Sequence, residues 1–156
     1  MSRDALFRQA AAELGFAPDA EIRSGGNYVP LVRDGSTLYV SGQVPRIGSE
    51  VVVQGRAGSE VPLAEARRAA RIGVLRALAL LQRELGSLDR LRQILRVTVY
   101  VQCTQDFTQH SEVADGASDL LVSILGPAGA HTRTSVGVLQ LPKNATVELD
   151  LIAAVD

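Results

Sequence analysis

The sequence predicts an α+β fold in which helices pack on one face of a mixed sheet. Three observations carry that prediction. From Leu63 to Leu85, the residues Ala66, Ala70, Val74, Ala77, Leu81 and Leu85 recur every three or four positions, which is one continuous helical stripe. β-rich runs lie on both sides of two helical patterns, in the order βββ-α-β-α-ββ after a leading helix, the arrangement of an α+β domain. Near the C-terminus, Val147, Leu149 and Leu151 alternate with Glu148 and Asp150, so that strand has one apolar face and one polar face.

Taken in order, Asp4 to Leu14 reads as a short helix with Ser2 as its N-cap, Gly15 as its stop, and Leu6, Ala10 and Leu14 on one face. Pro18 to Gly26 is a loop. Asn27 to Val32 is a first strand, followed by the turn Arg33-Asp34-Gly35-Ser36, whose central Asp-Gly is a hairpin signal. Thr37 to Val44 is the second strand, closed by Pro45, and Val51 to Gln54 is a short third. Pro62 and Gly86 bound the long helix, Pro62 in its first turn. Leu88 to Leu91 adds a further turn. Ile94 to Val101 is a central strand, Val113 to Leu125 a second core helix ended by Gly126-Pro127, and Thr132 to Val138 and Val147 to Ala154 are the last two strands. The sheet face without helices would lie bare in a monomer, so association is expected.

Bulk properties narrow the function. The 156 residues suit one domain, 1–156, with 1–15 as a helical extension. The net charge is −1 and no basic block is interleaved with aromatics, so nucleic acid is not an expected partner. Cys103 is the only cysteine, which excludes an intrachain disulfide and disfavours a cysteine metal site. The apolar run around Val74 to Leu81 is interrupted by Arg76 and is too short for a bilayer span. No secretory signal is visible at Met1-Ser2-Arg3-Asp4, and a cytoplasmic location is expected.

Chemistry concentrates in a few positions. Arg133 shares a strand face with Ser135 and Gly137, and Gly137 would leave space beside it. A guanidinium in such a recess can hold a carboxylate through two parallel hydrogen bonds; a structural salt bridge is the other reading. Glu148 and Asp150 face away from the apolar core and could orient or deprotonate a water, or simply form a solvated face. Tyr28, Ser41 and Gln43 could line a pocket, with Gly42 allowing a ligand close to the backbone. His110 and His131 show no metal spacing. Cys103 has no adjacent cation in sequence and reads as a bystander.

With these residues in view, the chain resembles the RidA family, also called YjgF and formerly L-PSP endoribonuclease, in a divergent branch. The matching segments are Asn27-Tyr28-Val29-Pro30, Ser41-Gly42-Gln43-Val44-Pro45, the alanine-rich helix, Val97 to Val101, Asp106-Phe107, Arg133 to Val138, Leu141-Pro142-Lys143 and Val147-Glu148. The resemblance implies a chorismate-mutase-like fold and a homotrimer with sites between subunits. It also implies hydrolysis of 2-imino or 2-enamino acids to 2-oxo acids and ammonia, with no cofactor or metal. Arg133 matches the family's carboxylate-binding arginine, Glu148 the acid that positions water, and Tyr28, Ser41, Gly42 and Ser135 pocket positions. Asp115 falls near an asparagine of the deaminases. A non-catalytic trimer that binds small carboxylates is the alternative. Endoribonuclease or translation-inhibitor activity is less favoured, since no basic stripe is present.

Overall fold

The computed structural model describes residues 1–156. Helix α1 (Arg3–Leu14) is capped by Ser2, whose Oγ accepts from the Ala5 N–H, and ends at Gly15 with φ 71°. It buries Phe7, Ala10 and Ala11, while Leu6 and Leu14 are only partly covered. The buried stripe is therefore turned one position from the Leu6, Ala10 and Leu14 expectation. The reason is tertiary: α1 lies on the outer side of the other helices, and the large Phe7 ring takes the deepest place. Asp4 ties it down, accepting from Gln82 Nε2 at 2.7 Å and from the Leu88 N–H at 2.9 Å.

Strand β1 (Leu31–Asp34) begins four residues later than expected. Pro30 has no N–H to give to a ladder, and its carbonyl instead accepts from the Ser41 N–H. Asn27 to Pro30 thus form a loop. Asp34 pairs with Thr37, so the hairpin loop is Gly35-Ser36, with Gly35 at φ 60°. Strand β2 (Thr37–Gln43) is bulged between Val40 and Gln43. The expected strand Val51 to Gln54 is not formed. A small separate hairpin stands there, β3 (Arg46–Ile47) and β4 (Glu50–Val51). Residues 52–55 spend their backbone groups elsewhere: the Val53 carbonyl accepts from Thr146 and the Gly55 N–H reaches Asn144. Those bonds join distant segments, which local patterning cannot reveal.

Helix α2 (Leu63–Leu85) matches its expected bounds, although Pro62 is the N-cap residue rather than part of the first turn. Gly73 brings it close to the sheet, since a Cβ there would lie 3.1 Å from Leu149. Strand β5 (Leu91–Gln102) and helix α3 (His110–Leu125) are both longer than expected. Strand β6 (Thr132–Val138) keeps its expected limits, and β7 (Val147–Val155) runs one residue further.

The sheet order is β1-β2-β7-β5-β6, antiparallel except for β5 and β6, which are parallel and joined through α3. Register sorts the side chains. Leu38, Val40, Val97, Val99, Val101, Leu149, Leu151 and Ala153 face the helices and are buried. Tyr39, Thr98, Tyr100, Glu148, Asp150 and Ile152 face the other way, on a side no helix covers. The expected α+β fold is what forms.

Candidate functional site

A cavity of about 460 Å³ opens where the 21–30 loop, the end of β2, the β3–β4 hairpin, α2 and the start of β7 converge. Tyr28, Ser41, Gly42 and Glu148 line it together. Glu148 sits on the bare face of β7, beside the bulge of β2. A Cβ at residue 42 would overlap Glu148 Oε1 and stand 2.9 Å from Cδ. The space at Gly42 is thus taken by the Glu148 carboxyl group, and it is not an open approach to the backbone for a ligand. Any larger residue would push the acid away.

The two acids of β7 differ. Thr98, Tyr100 and the charge of Arg96 favour the ionised form of Asp150, although burial dominates and pushes its carboxyl up. Glu148 is also pushed up, by burial first and then by the charge of Asp150, and no cation offsets this. Glu148 is therefore the acid left free for work in the cavity.

Ser41 and Tyr28 take different roles. Ser41 Oγ donates to the Val29 and Pro30 carbonyls at 3.0 and 2.9 Å, so its proton holds the preceding loop in place. Tyr28 is half-exposed, and its phenolic oxygen accepts from the Gly25 N–H at 3.3 Å. Its own proton remains available to the cavity. Ser41 positions and Tyr28 can donate.

Arg133 lies elsewhere. The parallel register pairs Arg133 with Val97 and Ser135 with Val99, so both point to the helix side of the edge strand. Glu148 points to the opposite side, two strands away. With strands ~4.8 Å apart, and a further offset along β6, one protomer cannot bring the two groups onto one small ligand. Arg133 Nη1 donates to Asp115 Oδ1 at 2.8 Å and to Ser118 Oγ at 2.9 Å. Ser118 in turn pairs with His131 Nε2 at 2.8 Å, and His131 Nδ1 lies against the Gly129 carbonyl. The pair is not sealed, because the Asp115 side chain is half-exposed.

Gly137 does not leave a recess beside Arg133. A Cβ there would lie 2.6 Å from His110 Nε2 and 2.9 Å from Cys103 Sγ, so those two side chains fill the space. Burial pushes the Cys103 thiol up, against a smaller opposing effect of Arg56, which keeps it a thiol rather than a nucleophilic thiolate.

Sequence reasoning missed four cations of the cavity: Arg23, Arg46, Arg76 and Lys143. Arg76 had a readable signal, a charge inside an otherwise apolar helical stripe. Lys143 is carried in by the turn Pro142–Asn144, where Lys143 and Asn144 have φ 57° and 59°. Buried Gln102 pins that turn. Its Oε1 accepts from the Leu141 N–H at 2.7 Å and its Nε2 donates to Asn144 Oδ1 at 2.8 Å.

Comparison with known proteins agrees with this architecture. Residues 7–155 match the family described as "YjgF/chorismate_mutase-like, putative endoribonuclease". Protein TCP17 of Trypanosoma cruzi is 39% identical over 140 residues, covering 89% of this chain and 88% of its own. The solved structure of Atu1372 from Agrobacterium tumefaciens, a protein of unknown function, shares 35% identity at a TM-score of 0.88, over 99% of this chain and 95% of that one. A structure from Shewanella oneidensis, named in endoribonuclease terms, shares 32% identity, also at 0.88, over 96% and 99%. The chain belongs to the YjgF/chorismate-mutase-like family.

Proposed function

We propose that this protein hydrolyses small 2-imino acids, with their 2-enamine tautomers, to 2-oxo acids and ammonia, in sites completed between the subunits of a homotrimer. The observation that carries the reading is Glu148, an acid without a partner cation, its carboxyl pushed up by burial, set at the wall of a cavity that a Tyr28 phenol can reach. A carboxylate with a raised pKa is a stronger base toward water.

Arg133 of the partner subunit holds the substrate carboxylate, with Ser135 beside it, while Glu148 accepts a proton from a water directed at the imine carbon. The water oxygen bonds to that carbon, the imine nitrogen takes up protons, and the C–N bond breaks to release ammonia. The carbon keeps its oxidation level, so no redox partner is required. The bare sheet face, with Tyr39 and Val136 exposed, supports an assembly that covers it. The test generates 2-iminopropanoate in situ and follows pyruvate. Wild-type protein accelerates release, and Arg133→Ala and Glu148→Gln both abolish the acceleration; activity unchanged in both variants would overturn the reading.

One observation favours a second reading, a trimer that binds small carboxylates without turning them over. Arg133 already carries Asp115 at 2.8 Å, so an incoming carboxylate competes with an internal one. Saturable pyruvate binding by wild-type protein that leaves the imine lifetime unaltered would select it.

A further inference from the structure

Arg76 is in the middle of α2, is only 6% exposed, and has no acid beside it. Its Nε donates to Gln43 Oε1 at 3.0 Å and its Nη1 to the Arg46 carbonyl at 3.1 Å. Both acceptors are neutral. Gln43 is itself fixed, buried and donating from Nε2 to the Ser41 carbonyl at 3.1 Å. Nη2 has no partner. Since no fully buried side-chain nitrogen goes unsatisfied in this chain, Nη2 keeps its opening, and the space that Arg76 lines is the cavity.

The charges around it are unfavourable. Burial, then Arg46 and Arg83, lower the guanidinium to about 10, and no carboxylate raises it. It remains a cation at neutral pH. Glu148 lines the same cavity but forms no ion pair with Arg76. Arg46 and Lys143 add two more positive groups to the wall, and Arg23 is already occupied by Glu21 at 3.0 Å. A buried cation without a counter-charge is costly, and an anion entering the cavity would offset that cost.

We propose that Arg76, with Arg46 and Lys143, forms an oxyanion subsite within each protomer that receives a second, terminal acidic group of the ligand. The carboxylate next to the reacting carbon goes to Arg133 of the partner subunit, as in the function proposed above, on which this assignment of the two ends rests. The ligand class is then a dianionic 2-imino or 2-oxo acid, bearing either a carboxylate or a phosphonate-like group at its far end.

Calorimetric titration of the assembled protein tests this with three probes of similar length: 2-oxobutanoate, 2-oxoglutarate and 3-phosphonopyruvate. One charge-assisted hydrogen bond of ~1.5–3 kcal/mol corresponds to roughly 10- to 150-fold in affinity. At least one dianion should bind about tenfold or more tightly than 2-oxobutanoate, and the favoured probe identifies the terminal group. That selectivity should fall about tenfold in Arg76→Gln and several-fold in Arg46→Gln and Lys143→Gln. The last two lie at the cavity wall and carry the test should Arg76→Gln fail to fold. Equal affinity for all three probes, or selectivity unchanged in the variants, overturns the subsite. Imine turnover measured in parallel separates the two proposals. Turnover without dianion selectivity removes only the subsite, and selectivity without turnover removes only the deaminase.

Discussion

The cavity around Glu148 and the cluster around Arg133 solve the problem of placing charge in opposite ways. In the cluster every strong group has a partner: Arg133 with Asp115 and Ser118, Ser118 with His131, His131 with the Gly129 carbonyl. In the cavity Arg23 and Glu21 pair with each other, but Glu148 lacks a cation and Arg76 lacks an acid. The cluster is locally satisfied, and a carboxylate arriving at Arg133 would have to displace Asp115. The cavity carries the cost of uncompensated charge before any ligand arrives. Unfavourable placement that persists in a fold is the stronger mark of a binding site, since stability alone would remove it.

After the loss expected of Arg133→Ala and Glu148→Gln, the next largest break in this contrast is Gly42→Ala. A methyl at residue 42 overlaps the Glu148 carboxyl group, which must swing away. Positioning and general-base effects together support a loss of about 100-fold in imine hydrolysis. Near-wild-type rates in the coupled assay would show that the placement of Glu148 does not matter.

Asp115→Asn should have a smaller effect, of opposite sign. Removing the acid that competes for Arg133 should strengthen 2-oxo acid binding about two- to fivefold, the scale of a solvent-exposed ion pair of ~0.5–1 kcal/mol. Weaker binding, read by titration, would mean that Asp115 serves to orient Arg133 for its ligand.

The smallest effect concerns stability. Because the folded-state pKa of Glu148 is raised, the folded chain holds its proton where the unfolded chain has lost it. Stability then falls as pH rises from the unfolded value, ~4.3, through the folded value. Glu148→Gln removes that loss. Its melting temperature should exceed wild type at pH 7, and the gain should vanish near pH 4. A variant less stable than wild type at pH 7 would indicate a structural partner for this acid.

Legibility in the sequence divides along the same line. The long apolar period of α2 and the short-range alternation of Arg133 to Val138 in β6 make those two elements readable. Asn27 to Pro30 looked like a strand because its composition is β-rich, but Pro30 cannot enter the ladder. Val51 to Gln54 misled because its partners sit some ninety residues away, at Asn144 and Thr146. At the site, period-two counting correctly grouped Arg133 with Ser135 and separated Glu148 from the core. It could not say which sheet face each group took, because that depends on the parallel pairing of β6 with β5. Arg76 reads in sequence as an interruption of an apolar run, although a charge in an apolar helical stripe is as costly as one in an apolar strand.

One buried amide has a reach beyond its size. Gln102 is fully enclosed at the end of β5, yet it bonds to Leu141, Asn144 and the Gly55 carbonyl at once. Three stretches of chain far apart in sequence therefore move as one piece, and the lysine they present inherits its aim from a residue that never meets solvent. Variation in the outward-facing residues can retune what enters the cavity without disturbing that frame, whereas a single change at this hidden position would blur ligand choice from a distance.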